Sequence, residues 1–169
     1  PDVVKTYSKT ASDANARILG ASSSSYEYVI ITNSSLNASF QTLVNWKIQK
    51  GLNATIVTVE DIMNNANYNS NGPYGDGPGS PKFNDTQSHI RNFIRYAYQN
   101  WKVKYVLLGG DDDIIPARGV YDNAGYKNNY TYYNIPCDMY YGALDGNWDK
   151  HNDTIYGEAV YLWPGPENG

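Results

Sequence analysis

The sequence predicts an α/β fold, a mostly parallel β-sheet flanked by helices. Three observations predict it. Short apolar runs with no internal charge stand at Tyr28-Val29-Ile30-Ile31, at Thr55-Ile56-Val57-Thr58-Val59 and at Tyr105-Val106-Leu107-Leu108, the pattern of strands covered on both faces. Two stretches between them carry apolar residues at helical spacing. The resulting order, β-α-β-α-β, closes into a parallel sheet covered by helices when the crossovers take their usual right hand.

Composition narrows the function classes. The chain has 169 residues, of which 41% are hydrophobic, enough for one domain with a sizeable core. Only 18% are charged, and Asn, Ser, Thr, Gly and 17 Tyr take their place. The net charge is −4 and Lys and Arg are scattered, so no nucleic-acid partner is expected. No apolar stretch approaches the roughly 18–20 residues of a membrane span, so no span is expected in this segment. Neither a signal peptide nor an initiator Met is present, which suits a mature or excised segment. The single Cys137 leaves no internal disulfide framework. Asn33, Asn37, Asn53, Asn84, Asn129 and Asn152 each open an N-x-Ser/Thr triplet, more than chance placement supplies. An exported protein is therefore expected, extracellular or at the cell surface and glycosylated.

In chain order, residues 1–25 show no usable period and read as an extended arm or linker, ahead of a single α/β sub-domain over 26–169. The first strand, 28–31, ends at Thr32-Asn33. A helix over 38–50 follows, with Phe40, Leu43, Val44 and Ile48 on one face and Gly51 as its left-handed stop. After the second strand, Thr58 with Asp61 three places on caps a short helix carrying Ile62 and Met63. Residues 64–83, rich in Gly, Asn and Pro, form a long surface loop. A second long helix runs from about 85 to 101, with Ile90, Phe93, Ile94, Ala97, Tyr98 and Trp101 as its stripe and Asn84 or Asp85 as its cap. The third strand then leads into Gly109-Gly110 and three acids. Beyond Pro116, residues 120–133 show no clear period, 135–144 suit a strand or extended segment with an aromatic face, and 145–158 form an acidic loop.

The carboxyl ends of strands are where open α/β sheets gather ligands, so Asp111, Asp112 and Asp113 are candidates for a cation or for capping the turn after the strand. Phosphate cradling fails there, since no G-x-x-x-x-G-K-[ST] is present and the acids repel phosphate. The acidic loop is the better metal candidate. Asp145, Asn147, Asp149 and Asp153 recur at odd offsets, with Glu158 behind them, and alternating oxygen donors in a tight loop suit Ca2+, which takes six to eight oxygens. Lys150 occupies the place where a helix-loop-helix calcium site needs Gly, so an irregular Asp-rich loop is expected instead, with a solvated acidic turn as the alternative. Cys137 has Asp138 beside it, which raises a thiol pKa, and thiolate catalysis with His151 or His89 as the base would need an activating cation and a third group to orient that base. A packed free thiol is expected. The rings of Tyr130, Tyr132, Tyr133, Tyr140, Tyr141 and Trp148 suit either a carbohydrate- or peptide-binding face or internal packing.

Four pieces in this order carry a family resemblance: Tyr28-Val29-Ile30-Ile31; the run from Leu43 through Trp46-Lys47-Ile48-Gln49-Lys50-Gly51; Tyr105 to Asp111 leading to Ile115-Pro116; and Asp138-Met139-Tyr140-Tyr141-Gly142 with Leu144-Asp145-Gly146. On these the chain resembles the first part of the gingipain-type cysteine peptidases, family C25 of the caspase-like clan, over about residues 28–158. The resemblance implies a caspase-like architecture of two similar sub-domains. The second of these supplies a His followed by Gly at one strand end and a Cys nucleophile at the next. No His-Gly pair occurs here, because Ile90 follows His89 and Asn152 follows His151. The implied role is an N-terminal scaffold sub-domain without the catalytic dyad, inactive alone. Its partner would be the catalytic sub-domain of the same full-length chain, and a protein or peptide substrate would be met only there. Relatives of this family often carry a more acidic run in the same place, where this chain has Asn147 and His151; Ca2+ is the cofactor expected at this loop. The alternative is a non-catalytic cell-surface glycoprotein binding module.

Overall fold

A computed structural model describes residues 25–75, 84–125, 130–146, 148–149 and 155–157. Three parallel strands carry the fold: β1 (Tyr28–Thr32), β2 (Ala54–Thr58) and β3 (Tyr105–Leu108), in the order β2-β1-β3. Tyr28 registers with Ala54 on one side and Tyr105 on the other. Alternation along the strands then sorts the side chains into two cores. Val29, Ile31, Val57, Val106 and Leu108 face one side of the sheet, and Tyr28, Ile30, Ala54, Ile56 and Leu107 face the other.

Helix α1 (Asn37–Gln49) covers the second, smaller core. It starts where Asn33 Oδ1 accepts from the Ser35 hydroxyl and the Leu36 N–H. It ends as the sequence requires, at Gly51 with φ +87°, while the Leu52 N–H returns to the Lys47 carbonyl. Val44 is buried, with Phe40 and Leu43 packed beside it. Ile48 departs from the expected stripe and is 50% exposed. Lys47 lies inward there instead, its ammonium 4.3 Å from the Tyr28 ring centre.

The larger core lies under α2 (Val59–Met63) and α3 (Thr86–Tyr96). Thr58 Oγ1 accepts from the Asp61 N–H and opens α2 as predicted, and Asp85 Oδ1 accepts from the Ser88 N–H and opens α3. Ile90, Phe93, Ile94, Ala97 and Trp101 are buried along the predicted stripe. Tyr98 is not, at 61% exposed. The helix widens into a π turn over Ala97–Trp101, and the extra residue in that turn rotates Tyr98 outward while keeping Trp101 inside. Lys102, at φ 64°, ends the turn. The 64–83 loop is anchored: a 3-10 turn, Ala66–Tyr68, buries the Tyr68 ring against Phe93 and Tyr96.

Past β3, two strands stand where no period was legible. β4 (Arg118–Gly125) pairs antiparallel with β5 (Tyr130–Cys137), with register shifts between Val120 and Asp122 and between Asp122 and Gly125. Those irregularities, with Pro136 inside β5, break the two-residue alternation that would have announced a hairpin. The expected strand or extended segment over 135–144 is only partly present, since β5 ends at Cys137 and a helical turn, α4 (Met139–Gly142), follows. The expected arm over 1–25 lies, but for Ser25, outside the described residues. Among the described residues no helix is long and apolar enough to cross a membrane.

Candidate functional site

At the carboxyl end of the parallel sheet, β1 stops at Thr32, whose hydroxyl donates to the Gly109 carbonyl at the end of β3. A Cβ on Gly109 would stand 2.9 Å from the Phe40 ring and 3.1 Å from the Ile31 carbonyl oxygen, so glycine is there for close packing. The three acids that follow organise a turn. Asp111 Oδ1 accepts from the Asp112 N–H at 2.8 Å, the Asp111 carbonyl accepts from Ile114 and Ile115, and Asp112 Oδ1 accepts from the Ala117 N–H at 2.7 Å. Of the two readings open for Asp111, turn capping is the one these hydrogen bonds display.

The thiol and the described imidazole occupy different settings. Cys137 is half-buried and free, at the end of β5 opposite Arg118. His89 is buried on α3, and its Nδ1 has no hydrogen-bond partner among the described residues. Burial pushes its pKa down, partly offset by the charge of Asp85 and by the Ile62 backbone. A neutral imidazole wedged between helices is a packing group. His151 lies outside the described residues.

The most densely built polar region joins α3, the hairpin and the start of the acidic loop. Arg118 is 5% exposed. Its two terminal nitrogens grip the Asp85 carboxylate at 2.9 and 2.8 Å, and Nη2 also reaches the Ser88 hydroxyl at 3.2 Å. Its guanidinium lies 4.6 Å from the Tyr140 ring centre and 4.0 Å from that of Tyr156. A planar, weakly hydrated cation can be buried this way when a fork of acceptors and aromatic faces replaces its water. Burial raises the Asp85 carboxyl, but hydrogen bonds from Arg118 and Ser88 outweigh it and hold the group below its ordinary value. Burial likewise pushes the Tyr141 and Tyr156 phenols up, so both stay neutral, and the Tyr141 hydroxyl donates a hydrogen bond to the Pro116 carbonyl at 2.6 Å.

Arg91, 1% exposed, lies 4.9 Å from the centre of the same Tyr140 ring. Its Nη2 donates to the Ala143 carbonyl at 2.7 Å and to those of Asp145 and Gly146 at 3.3 Å each. One turn later on α3, Arg95 Nε donates to the Leu144 carbonyl at 2.9 Å. Two arginines at helical spacing thus hold the backbone of 143–146 against the domain. This arrangement also settles the aromatic alternatives for three rings. Tyr140 and Tyr141 are 2% and 3% exposed, and Trp148 stacks edge-on to Tyr140 at 5.6 Å. They pack internally and do not form a binding face. The side chains of Tyr130, Tyr132 and Tyr133 lie outside those described.

Of the five predicted metal ligands, Asp145 and Asp149 are described. Asp145 is exposed just beyond α4, and Asp149 is 1% exposed. Asn147, Asp153 and Glu158 lie outside the described residues. Among the described residues no three His, Cys, Asp or Glu side chains converge on a common point. The carbonyls of Asp145 and Gly146 face the Arg91 guanidinium. The arginine clamp was missed by sequence reasoning. Its signal was present, because Arg91 and Arg95, four residues apart, share a helix face beside the apolar stripe.

Residues 21–160 match the family model described as Peptidase family C25. No curated protein and no solved structure matches the chain.

Proposed function

The chain belongs to peptidase family C25, and from that premise we propose that it is the N-terminal scaffold sub-domain of an exported gingipain-like cysteine endopeptidase, without a catalytic His/Cys dyad of its own. The observation that carries this reading is what stands at the carboxyl ends of the three parallel strands. They present Thr32-Asn33, Thr58-Val59 and Gly109-Gly110-Asp111, which are hydroxyls, an amide, glycines and a carboxylate already committed to a turn. A caspase-like dyad needs an imidazole and a thiol at such ends, and the chain's one thiol closes a hairpin strand instead. The partner is then the catalytic sub-domain of the same full-length protein, where a protein or peptide substrate is cleaved. The scaffold's own task is to present a fixed acidic loop, held by Arg91 and Arg95.

Ca2+ belongs to the same reading, held through the oxygens of Asp145, Asn147, Asp149, Asp153 and Glu158. It would supply positive charge to a stretch dense in acids, of which Asp149 is buried. Export is supported by the exposure of Asn53 and Asn84 in their sequons, since an acceptor Asn must be reachable.

Two measurements on the 169-residue chain test the reading. Calorimetric titration should show Ca2+ binding that saturates in the millimolar range, where weak extracellular sites fill, with binding lost in Asp149→Asn. Incubation with fluorescent casein under reducing conditions should give no cleavage. Thiol-dependent cleavage that disappears in Cys137→Ala would overturn the scaffold role, and no heat at millimolar Ca2+ would remove the metal.

A further inference from the structure

Charge is divided between the two ends of the parallel sheet. Among the described residues the lysines are Lys47, Lys50, Lys102 and Lys104, and all of them stand at the amino end of the strands. Lys47 and Lys50 close α1 beside the chain entering β2, where the Leu52 N–H returns to the Lys47 carbonyl. Lys102 and Lys104 lead into β3, and the Lys104 N–H donates to the Glu27 carbonyl just ahead of β1. Glu27 is the described acid at this end, paired with Lys104 Nζ at 2.7 Å. Glu60, Asp61, Asp111, Asp112 and Asp113 follow the carboxyl ends of β2 and β3 instead. A chain of net charge −4 thus carries a basic pole opposite an acidic one, and such a separation turns the basic pole toward an anionic partner.

The basic pole also presents apolar side chains. Ile48, which leaves the buried stripe of α1, and Trp46 near it are 50% and 49% exposed on the last turn of that helix. The ammonium groups of Lys47 and Lys50 lie 5.2 and 5.8 Å from the Trp46 ring centre. An indole, an aliphatic side chain and ammonium groups on flexible stems, gathered at one helix tip, are the set that settles together at a bilayer interface. Rings and stems sit at headgroup depth there, and the charges meet phosphate. We propose that this pole docks the protein on the anionic phospholipid surface of a membrane, lying on it without spanning it. Two features favour lipid over an acidic protein or a sugar polymer. The described cations of the pole are all lysines, which protein interfaces are poor in, whereas arginine is enriched there. An exposed isoleucine gains apolar surroundings in a bilayer and none in a polysaccharide. In this orientation the acidic carboxyl ends of the strands face away from the membrane. The inference does not depend on the peptidase reading.

Co-sedimentation of the 169-residue chain with unilamellar vesicles tests it. At low salt the chain should bind vesicles made of phosphatidylcholine and phosphatidylglycerol in equal parts and should not bind vesicles of phosphatidylcholine alone. Binding should fall as salt rises. The Lys50→Gln/Lys102→Gln double variant should bind about tenfold more weakly, and Ile48→Asn about threefold more weakly. All three residues are exposed, so both variants should keep the parent's urea midpoint, which separates loss of binding from loss of fold. No binding to the mixed vesicles, equal binding to both kinds, or parent-like binding by either variant overturns the proposal. Binding to soluble polyglutamate as tight as to the mixed vesicles overturns it too, because the pole then serves an acidic protein.

Discussion

Arg118 carries its charge into the interior because a carboxylate fork, a hydroxyl and two aromatic faces meet it there. The fork is the part a lysine cannot reproduce. Arg118→Lys should therefore cost about 2 kcal/mol and Arg118→Ala about 3–5 kcal/mol, since removing one partner strands the other; urea denaturation reads both. A Lys variant as stable as the parent would show that charge alone matters. Two neighbours on α3 set the response to acid. His89 has its pKa depressed by burial from 6.5, so the unfolded chain binds a proton more readily than the folded one. Its contribution is complete above about pH 6.5 and lost as pH falls through the lower folded value. Asp85 is also held below its ordinary 3.8, so its contribution is complete above that value and lost at still lower pH. The denaturation midpoint should fall in two stages on acidification, and His89→Gln should remove the upper one. A midpoint unchanged between pH 7 and 5 would contradict the assignment for His89.

At the scale of elements, α3 is the part most others refer to. Its cap residue Asp85 holds the hairpin through Arg118, its middle holds 143–146 through Arg91 and Arg95, and its inner side holds the long loop. Asn92 Nδ2 donates to the Tyr68 carbonyl at 2.8 Å, and the Tyr68 ring packs edge-on against Phe93 at 5.4 Å. Tyr68→Ala should cost about 3–5 kcal/mol, the range for emptying a large aromatic site, and should make the 64–83 loop a preferred point of limited proteolysis. Cleavage at parent rates would mean that Asn92 and the loop's other bonds suffice. The loop's composition gave no hint of this anchor, because one buried tyrosine among Asn and Gly has no periodicity. The long helices and parallel strands were legible because each repeats its apolar spacing several times. The hairpin was not, because its bulges and Pro136 erase the repeat.

Across the whole molecule the two faces of the sheet are unequal. The α3 face gathers Phe93, Trp101, Ile90 and the Tyr140 cluster into one continuous core, while the α1 face holds a small cluster around Ile30, Val44 and Ala54. Phe93→Ala should cost about 4 kcal/mol, a large part of the 5–15 kcal/mol that holds a typical domain. Phe40→Ala, on a half-buried residue of the thin face, should cost about 2 kcal/mol. Thermal unfolding of the two variants reads the difference, and equal losses would mean that the thin face is as tightly packed as the thick one.

The sequence alone determined the β-α-β-α-β order, the stop of α1 at Gly51, the cap at Thr58 and the family, because each depends on residues close together in the chain. It also placed the acids of the 145–158 loop in one short stretch, where a cation is a natural expectation. Only the tertiary structure decided what those acids stand on. Arg91, Arg95 and Arg118 reach partners at sequence separations that no local pattern encodes, and a guanidinium is buried or solvated according to which aromatic faces and carbonyls the fold brings to it. That β3 pairs with β1 alone among the described strands was likewise invisible in Tyr-Val-Leu-Leu, since an apolar run reads the same whether one edge or both are paired.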